Sequence, residues 1–337
     1  MNSEQIHQLK QQKHFPDHPD AVELIETHAS WVLLTEASVY KIKKPLVFSF
    51  LDFSTLDKRK YYCEQEYVLN SRLAPEMYQG VLQVRESGGQ FNIGEGAGKI
   101  IDYAVFMKRM DYNRQMDILL ERGEVGKEEV ADIAVQIAHF HKKVKKFLEE
   151  EDVEQIHVRF ADIASVSDFL GRHFGPEAES FVEGLVQYSA DFTGKYASRF
   201  QERAQQGFVV DGHGDLHSKN IFLLDKPVIF DCIEFSQEFR RSDVLSDIAF
   251  FCMDLDQYGR TDLVTYFMET YLKENPCMQE EADRLIFHYY KMYRANVRLK
   301  VNALAAIQFE KEDSLTASRL KEVEVYYLLL KKYMKAL

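Results

Sequence analysis

The residue types and spacings able to do chemistry are concentrated between His213 and Asp231. In His213-Gly214-Asp215-Leu216-His217-Ser218-Lys219-Asn220, Asp215 and Asn220 have four residues between them. Eleven positions after Asn220, the apolar run Val228-Ile229-Phe230 ends in Asp231. Phosphoryl transfer to a hydroxyl uses this order: a loop aspartate beside the attacking hydroxyl, an asparagine on a metal ion, and two short strands returning a metal-binding aspartate to the same place. The transition state is loose, so a protein mainly positions groups and neutralises charge. Asp215 is therefore expected to accept or orient the hydroxyl proton. Asn220 and Asp231 offer hard oxygen ligands suited to Mg²⁺. His213 is expected to brace the loop by hydrogen bonding, and His217 either to approach the γ-phosphate or to cap the loop.

A metal-hydrolase reading of His213, Asp215, His217 and Asp231 competes with this one. Such sites draw His and carboxylate ligands from several elements. Here His213, Asp215 and His217 simply alternate by two. The phosphoryl-transfer reading accounts for the whole ordered set and is preferred.

That half-site needs a lysine for the nucleotide phosphates and a glutamate to hold the lysine. Val22 to Thr27, Trp31 to Leu34 and Val39 to Lys43 are short apolar segments separated by small polar clusters, which predicts consecutive antiparallel strands. On the third, Val39, Lys41 and Lys43 share a face. Val39 suits the cover of an adenine and Lys41 the phosphate lysine, with Lys43 the competing choice. Leu56 to Leu73 predicts an amphipathic helix ended by Ala74-Pro75. Glu66 lies two turns before Leu73 and shares its face, whereas Glu64 points elsewhere, so Glu66 is expected to pair with the lysine.

The glycine cluster Gly94-Glu95-Gly96-Ala97-Gly98 follows the lysine strand and leads into another strand, so it reads as a hairpin turn and not a phosphate loop. The loop in the right place is His28-Ala29-Ser30. It would cover phosphates with backbone N–H groups and the Ser30 hydroxyl. The strand Tyr103 to Met107 gives way to Lys108-Arg109-Met110-Asp111, which places a lobe boundary at about residue 110 and assigns backbone groups of Lys108 and Met110 to the base. The expected lobes are residues 1–110 and 111–337.

In the second lobe, Glu128 to Phe147 has strong helical periodicity, with His141 on its apolar face read as a core histidine. Residues 160–206 read as two further helices. Asp243 is placed to cap the helix that follows it. Asp254 and Asp256 fall where an acceptor site is expected and would suit cationic groups. From Arg284 to Phe309 there is no acid, and Tyr290, Arg294 and Arg298 share a helix face. Arginine forks suit an anionic acceptor; the competing reading is a helix that balances the acids of the catalytic segment.

The motif from His213 to Asn220 with Phe230-Asp231 resembles the aminoglycoside phosphotransferase family. The segments Val39 to Pro45, Leu51 to Leu56 and Phe230 to Phe235 resemble one uncharacterised bacterial branch of it, in which the domain stands alone or is fused to a P-loop ATP-binding domain. The resemblance covers about residues 20 to 305. It implies an α+β, bilobal protein-kinase-like fold: a small antiparallel-sheet N-lobe with one helix, and a larger, mainly helical C-lobe. It also implies transfer from ATP or GTP with Mg²⁺ to a small-molecule hydroxyl, and a supporting role for Asp247. Without a Walker-type P-loop the chain reads as a standalone member. Asp231 is followed by Cys232-Ile233 and not by phenylalanine and glycine, which makes a switchable activation segment less expected.

Bulk properties narrow the alternatives. The 337 residues carry a formal net charge of -12, which argues against a general nucleic-acid binder. The polar N-terminus lacks a signal-peptide core, no apolar run reaches membrane-spanning length, and the four cysteines show no metal or disulfide spacing. A cytoplasmic protein with reduced thiols and no membrane partner is expected. The favoured function is an ATP- and Mg²⁺-dependent small-molecule kinase. A Ser/Thr protein kinase of the same fold and a non-catalytic nucleotide-binding regulator are the alternatives.

Overall fold

The computed structural model describes residues 1–48, 51–308 and 313–336. In chain order it contains α1 (Ser3–Gln12), β1 (Glu23–Glu26), β2 (Ser30–Leu34), β3 (Ser38–Lys43), β4 (Val47–Phe48), β5 (Leu51–Asp52), α2 (Leu56–Asn70), β6 (Tyr78–Ser87), β7 (Gln90–Ile93), β8 (Lys99–Lys108) and α3 (Met116–Glu121). Then follow α4 (Lys127–Lys143), α5 (Val153–Ala161), α6 (Ser167–Phe174), α7 (Pro176–Lys195), α8 (Ala197–Gln205), β9 (Val209–Asp211), β10 (Ile221–Leu223), β11 (Pro227–Ile229), α9 (Gln237–Arg240), β12 (Arg241–Asp243), α10 (Val244–Gln257), α11 (Thr261–Glu274), α12 (Glu281–Gln308) and α13 (Asp313–Lys335). This is an α+β architecture of two compact units. One comprises residues 1–124, 213–215 and 219–240, and the other residues 125–212, 216–218 and 241–337.

The first unit is built on a six-stranded antiparallel sheet in the order β1-β2-β3-β8-β6-β7. Strand alternation sends Tyr40 and Ile42 of β3 into one cluster with Ile6, Leu9, Phe15, Trp31 and Leu33. Val39 goes to the opposite face, into a cluster with Cys63, Met77, Tyr78, Val105, Met107 and Phe222. The helix α2 starts on a Thr55 cap that accepts the Lys58 N–H, and it buries Arg59, Cys63, Glu66 and Asn70. Those four recur at three- and four-residue steps and so lie on one face. The glycine cluster is a connection between β7 and β8, both of which pair with β6. A Cβ on Gly98 would lie 2.5 Å from the Glu86 carbonyl oxygen, so a side chain is excluded there.

The second unit is helical apart from the β9–β12 pair. Three helices, α6 to α8, follow the end of α5 in residues 160–206, the region expected to hold two. The Gly175-Pro176 step breaks the apolar pattern, with Gly175 at a φ of 93° that ends α6 and Pro176 opening α7. Asp243 caps α10 by accepting the Leu245 N–H at 2.8 Å. Arg203 grips both Asp243 oxygens, at 2.6 and 2.8 Å, and also Asp283 on α12 at 2.8 Å. His141 is a core histidine, 2.7 Å from the Tyr271 hydroxyl and 3.3 Å from Asp247. Among the described residues no helix is long and apolar enough to cross a membrane, and the four cysteines are buried and not joined in disulfides.

Candidate active site

The segment from His213 to Asn220 is held by its own short-range bonds. Gly214 adopts a φ of 83°, a conformation that disfavours a side chain. A Cβ there would also lie 3.0 Å from Ile233 and 3.2 Å from the Phe239 carbonyl oxygen. The turn lets the Asp215 N–H donate to His213 Nδ1 at 3.2 Å, while His213 Nε2 lies 3.0 Å from the Phe230 carbonyl oxygen. One ring nitrogen thus accepts and the other donates, which is a neutral imidazole in a single tautomer. Buried His213 ties the loop to the residue before Asp231.

Asn220 donates its amide to the Asp215 carbonyl at 3.0 Å and to the Asp215 carboxylate at 3.1 Å. The hairpin of β10 and β11, in register Ile221 to Ile229, folds the chain back so that the Phe230 N–H meets the Asn220 carbonyl at 3.0 Å. Asp231 is thereby returned next to Asn220. It lies in the left-handed region at φ 59°, which aspartate tolerates better than most residues.

Lysines on β3 meet this segment. Lys41 Nζ lies 2.9 Å from Asp231 Oδ1 and 2.8 Å from Glu66 Oε1. Lys43 Nζ lies 2.7 Å from Glu66 Oε2 and also bonds the Glu234 carboxylate. Burial alone would lower the Lys41 pKa, but Asp231, Glu66 and Glu234 outweigh it and hold the amine firmly protonated. Burial raises Glu66, and the two lysines overcome that and hold its carboxyl well below the usual range. For Glu234 burial wins: its carboxyl is pushed up, and Lys43 offsets the shift only in part. Glu64, the other acid of the helix, is exposed and faces Lys60 at 3.8 Å.

Three further residues in this arrangement have no role assigned to them from the sequence. Asn70 accepts the Cys232 N–H at 2.8 Å and donates to the Glu66 carbonyl at 2.9 Å. The Tyr78 hydroxyl accepts the Asp231 N–H at 3.4 Å. Glu234 belongs to the motif after Asp231 but has no assigned role from spacing. Only Asn70 has a usable signal, because it follows Glu66 by four residues on the buried face of α2.

The remaining sequence-read residues fall as follows. Ser30 is buried at the start of β2, its N–H donated to Thr27 Oγ1 at 3.0 Å. The Lys108 N–H is donated to the Met77 carbonyl at 2.8 Å, whereas Met110 packs on the cluster around Val39. In the second unit, His217 is buried with its ring 5.3 Å from that of Phe250. Asp254 is buried: one oxygen accepts the Ser218 N–H at 2.7 Å and the other accepts from Gln257 at 2.6 Å. Asp256 accepts from Tyr333 at 2.6 Å and pairs with Lys291. Arg294 is buried against Ser246 at 3.0 Å and over the Phe250 ring at 4.9 Å. Arg298 lies over the Tyr326 ring at 5.6 Å. Phe309, the end of the acid-free stretch, is outside the described residues.

A strand lysine paired with a helix glutamate, a loop aspartate beside an asparagine, and a hairpin-borne aspartate together define the protein-kinase-like fold, and the chain has that fold. Among solved structures it is similar to choline kinase from Cryptosporidium parvum, with a TM-score of 0.51 and 12% identity over 99% of this chain and 95% of the other. Ethanolamine kinase from Plasmodium vivax gives a TM-score of 0.51 and 12% identity over 98% of this chain and 87% of the other. Aminoglycoside phosphotransferases are also among the structural neighbours. No family model matches the chain. By sequence it is 30% identical over 304 residues to an uncharacterised protein of Mycobacterium tuberculosis, covering 88% of this chain and 58% of the relative. The chain thus spans little more than half the length of the curated relatives it matches.

Proposed function

We propose that the chain is a phosphotransferase that moves the γ-phosphate of ATP, with Mg²⁺, to a hydroxyl of a small molecule. The observation that carries this reading is the contact of Lys41 with both Glu66 and Asp231. A protonated amine held between a buried glutamate and a half-exposed aspartate suits a triphosphate–metal site. The donor set fits the metal: Asn220 and Asp231 carry hard oxygens, and a magnesium ion taking only one or two protein ligands completes its shell with phosphate and water. Held by Asn220 and Asp231, Mg²⁺ would neutralise phosphate charge. The apolar cluster of Val39, Met107, Phe222, Met110 and Phe230 fits a flat base beside the lysine strand. Asp215, held by the Asn220 amide, would accept or orient the hydroxyl proton, with His213 keeping its loop in one conformation.

The solved neighbours named for choline and ethanolamine are small-molecule kinases, which favours a small hydroxyl acceptor over a protein. A screen of hydroxyl-bearing metabolites for ADP release, with Asp215→Asn as control, tests the reading. Acceptor-dependent ADP release by the wild type and its loss in the variant are expected. Equal turnover in the variant would remove Asp215 from its role. Autophosphorylation on Ser or Thr with no metabolite acceptor would replace the small-molecule reading by a protein-kinase one.

A further inference from the structure

The strand β3 carries two lysines on one face, and the site described above uses only Lys41. The second lysine has a different environment. The Lys43 side chain is 1% exposed, against 19% for Lys41 and 42% for Asp231. It lies between two carboxylates, Glu66 and Glu234, and over the Phe53 ring at 4.8 Å.

Five charges therefore alternate in sign: Asp231, Lys41, Glu66, Lys43 and Glu234. The two ends of this chain of charges, Asp231 and Glu234, are three residues apart in sequence, so it closes into a ring. Its members come from β3, from α2 and from the segment after β11. Backbone bonds fasten the same segment. The Asp231 N–H reaches the Tyr78 hydroxyl, the Cys232 N–H reaches Asn70 at 2.8 Å, and the Ile233 N–H reaches the His213 carbonyl at 3.2 Å.

We propose that Lys43 and Glu234 are a positioning pair: Glu234 retains Lys43 within the ring, fastens the segment that bears Asp231 to β3, and leaves Lys41 as the single lysine for the nucleotide phosphates. This rests on the phosphotransferase reading. Without Glu234, Lys43 has Glu66 as its remaining carboxylate and competes with Lys41 for it. The segment also loses its tie from Glu234 to β3 and keeps that of Asp231 to Lys41. Both effects displace Lys41 and Asp231, the groups that face phosphate and metal, whereas the apolar cluster that would take the base contains none of the five charged residues.

The test uses the full chain and two probes, Mg²⁺ with the non-hydrolysable ATP analogue AMP-PNP, and adenosine alone, with affinities read by calorimetry. Glu234→Gln is expected to weaken Mg–AMP-PNP binding about tenfold, the lower end for loss of a group that orients metal and phosphate contacts. Adenosine binding is expected to stay within about twofold, because the base cluster is not part of the ring. Lys43→Met with Glu234→Leu removes both charges together and is expected to recover most of the affinity, since an apolar pair leaves no buried charge uncompensated. Lys41→Met is expected to lose Mg–AMP-PNP binding with or without that pair.

Equal losses for both probes in Glu234→Gln would mean a merely structural role and overturn the inference, as would no loss for either. If Glu234→Gln does not fold, the double variant decides. Mg–AMP-PNP affinity near that of the wild type supports Lys43 as a positioning residue, and a loss as large as that of Lys41→Met overturns it. A wild-type chain that binds neither probe overturns the phosphotransferase reading and this inference with it. Wild-type binding that Glu234→Gln leaves unaltered overturns the inference alone.

Discussion

The Asn220 side-chain amide lies 3.1 Å from the Asp215 carboxylate and 3.0 Å from its carbonyl oxygen. One amide thus orients the Asp215 carboxylate and closes the loop that carries it. A carboxylate in place of that amide would face Asp215 with like charge. Asn220→Asp is therefore expected to raise the pKa of the pair, because two adjacent carboxylates resist joint ionisation. The base form then survives only at higher pH, so the acidic limb of kcat/KM moves upward. A pH profile with an unmoved acidic limb would separate Asp215 from base duty.

Asp231 at φ 59° separates conformational cost from ligand loss. Asp231→Asn keeps a residue that tolerates the left-handed region, and Asp231→Ala does not, so the alanine variant is expected to be about 1 kcal/mol less stable than the asparagine variant. Both are expected to weaken Mg–ATP binding more than Asp215→Asn does, and the comparison is made by calorimetry and urea denaturation. Equal Mg–ATP affinities in Asp231→Ala and Asp215→Asn would contradict the metal role.

Glu66 is wholly buried between two ammonium groups. Glu66→Gln removes the central negative charge and leaves both lysines under-compensated. A loss of roughly 3–5 kcal/mol is expected, the usual cost of stripping one member from a buried ion pair. Denaturant unfolding measures it. A loss below about 1 kcal/mol, the scale of an exposed pair, would mean that water reaches these lysines.

In the second unit, burial alone would raise the Asp283 carboxyl. The Arg199 side chain, the Gln279 N–H and Arg203 outweigh it and hold the carboxyl below the usual aspartate range, at about 2. A depressed carboxylate stabilises the fold above its unfolded pKa and loses that contribution as pH falls through the folded one. The contribution of roughly 2 kcal/mol should therefore be complete above about pH 4 and disappear towards pH 2. Asp283→Asn should flatten this part of the stability profile. An unchanged slope between those pH values would show that the arginines do not carry the acid dependence.

Much of the candidate site is legible in the chain because two local periods act on it. A strand alternates, so Lys41 and Lys43 fall on the same face as Val39; a helix repeats near four, so Glu66 joins Arg59, Cys63 and Asn70 inside. The hairpin from Ile221 to Ile229 follows from two short apolar runs and a polar turn. The same periods fall short in α12. They put Arg294 and Arg298 on one face but do not say whether that face meets solvent or protein. The fold turns Arg294 inward to Ser246 and Phe250. Asp254, read as a contact for a cationic group, has both oxygens taken by Ser218 and Gln257.

By itself the sequence determined the order of the residues proposed for phosphoryl transfer, because their spacing between Asp215 and Asp231 is a local property. It could not choose between two lysines one strand period apart, since alternation treats them alike. Tertiary structure separates them: Lys41 meets Asp231, 190 positions away, while Lys43 is enclosed by Glu66 and Glu234. Charge pairing over such separations depends on which elements pack together, and no period within one strand encodes that.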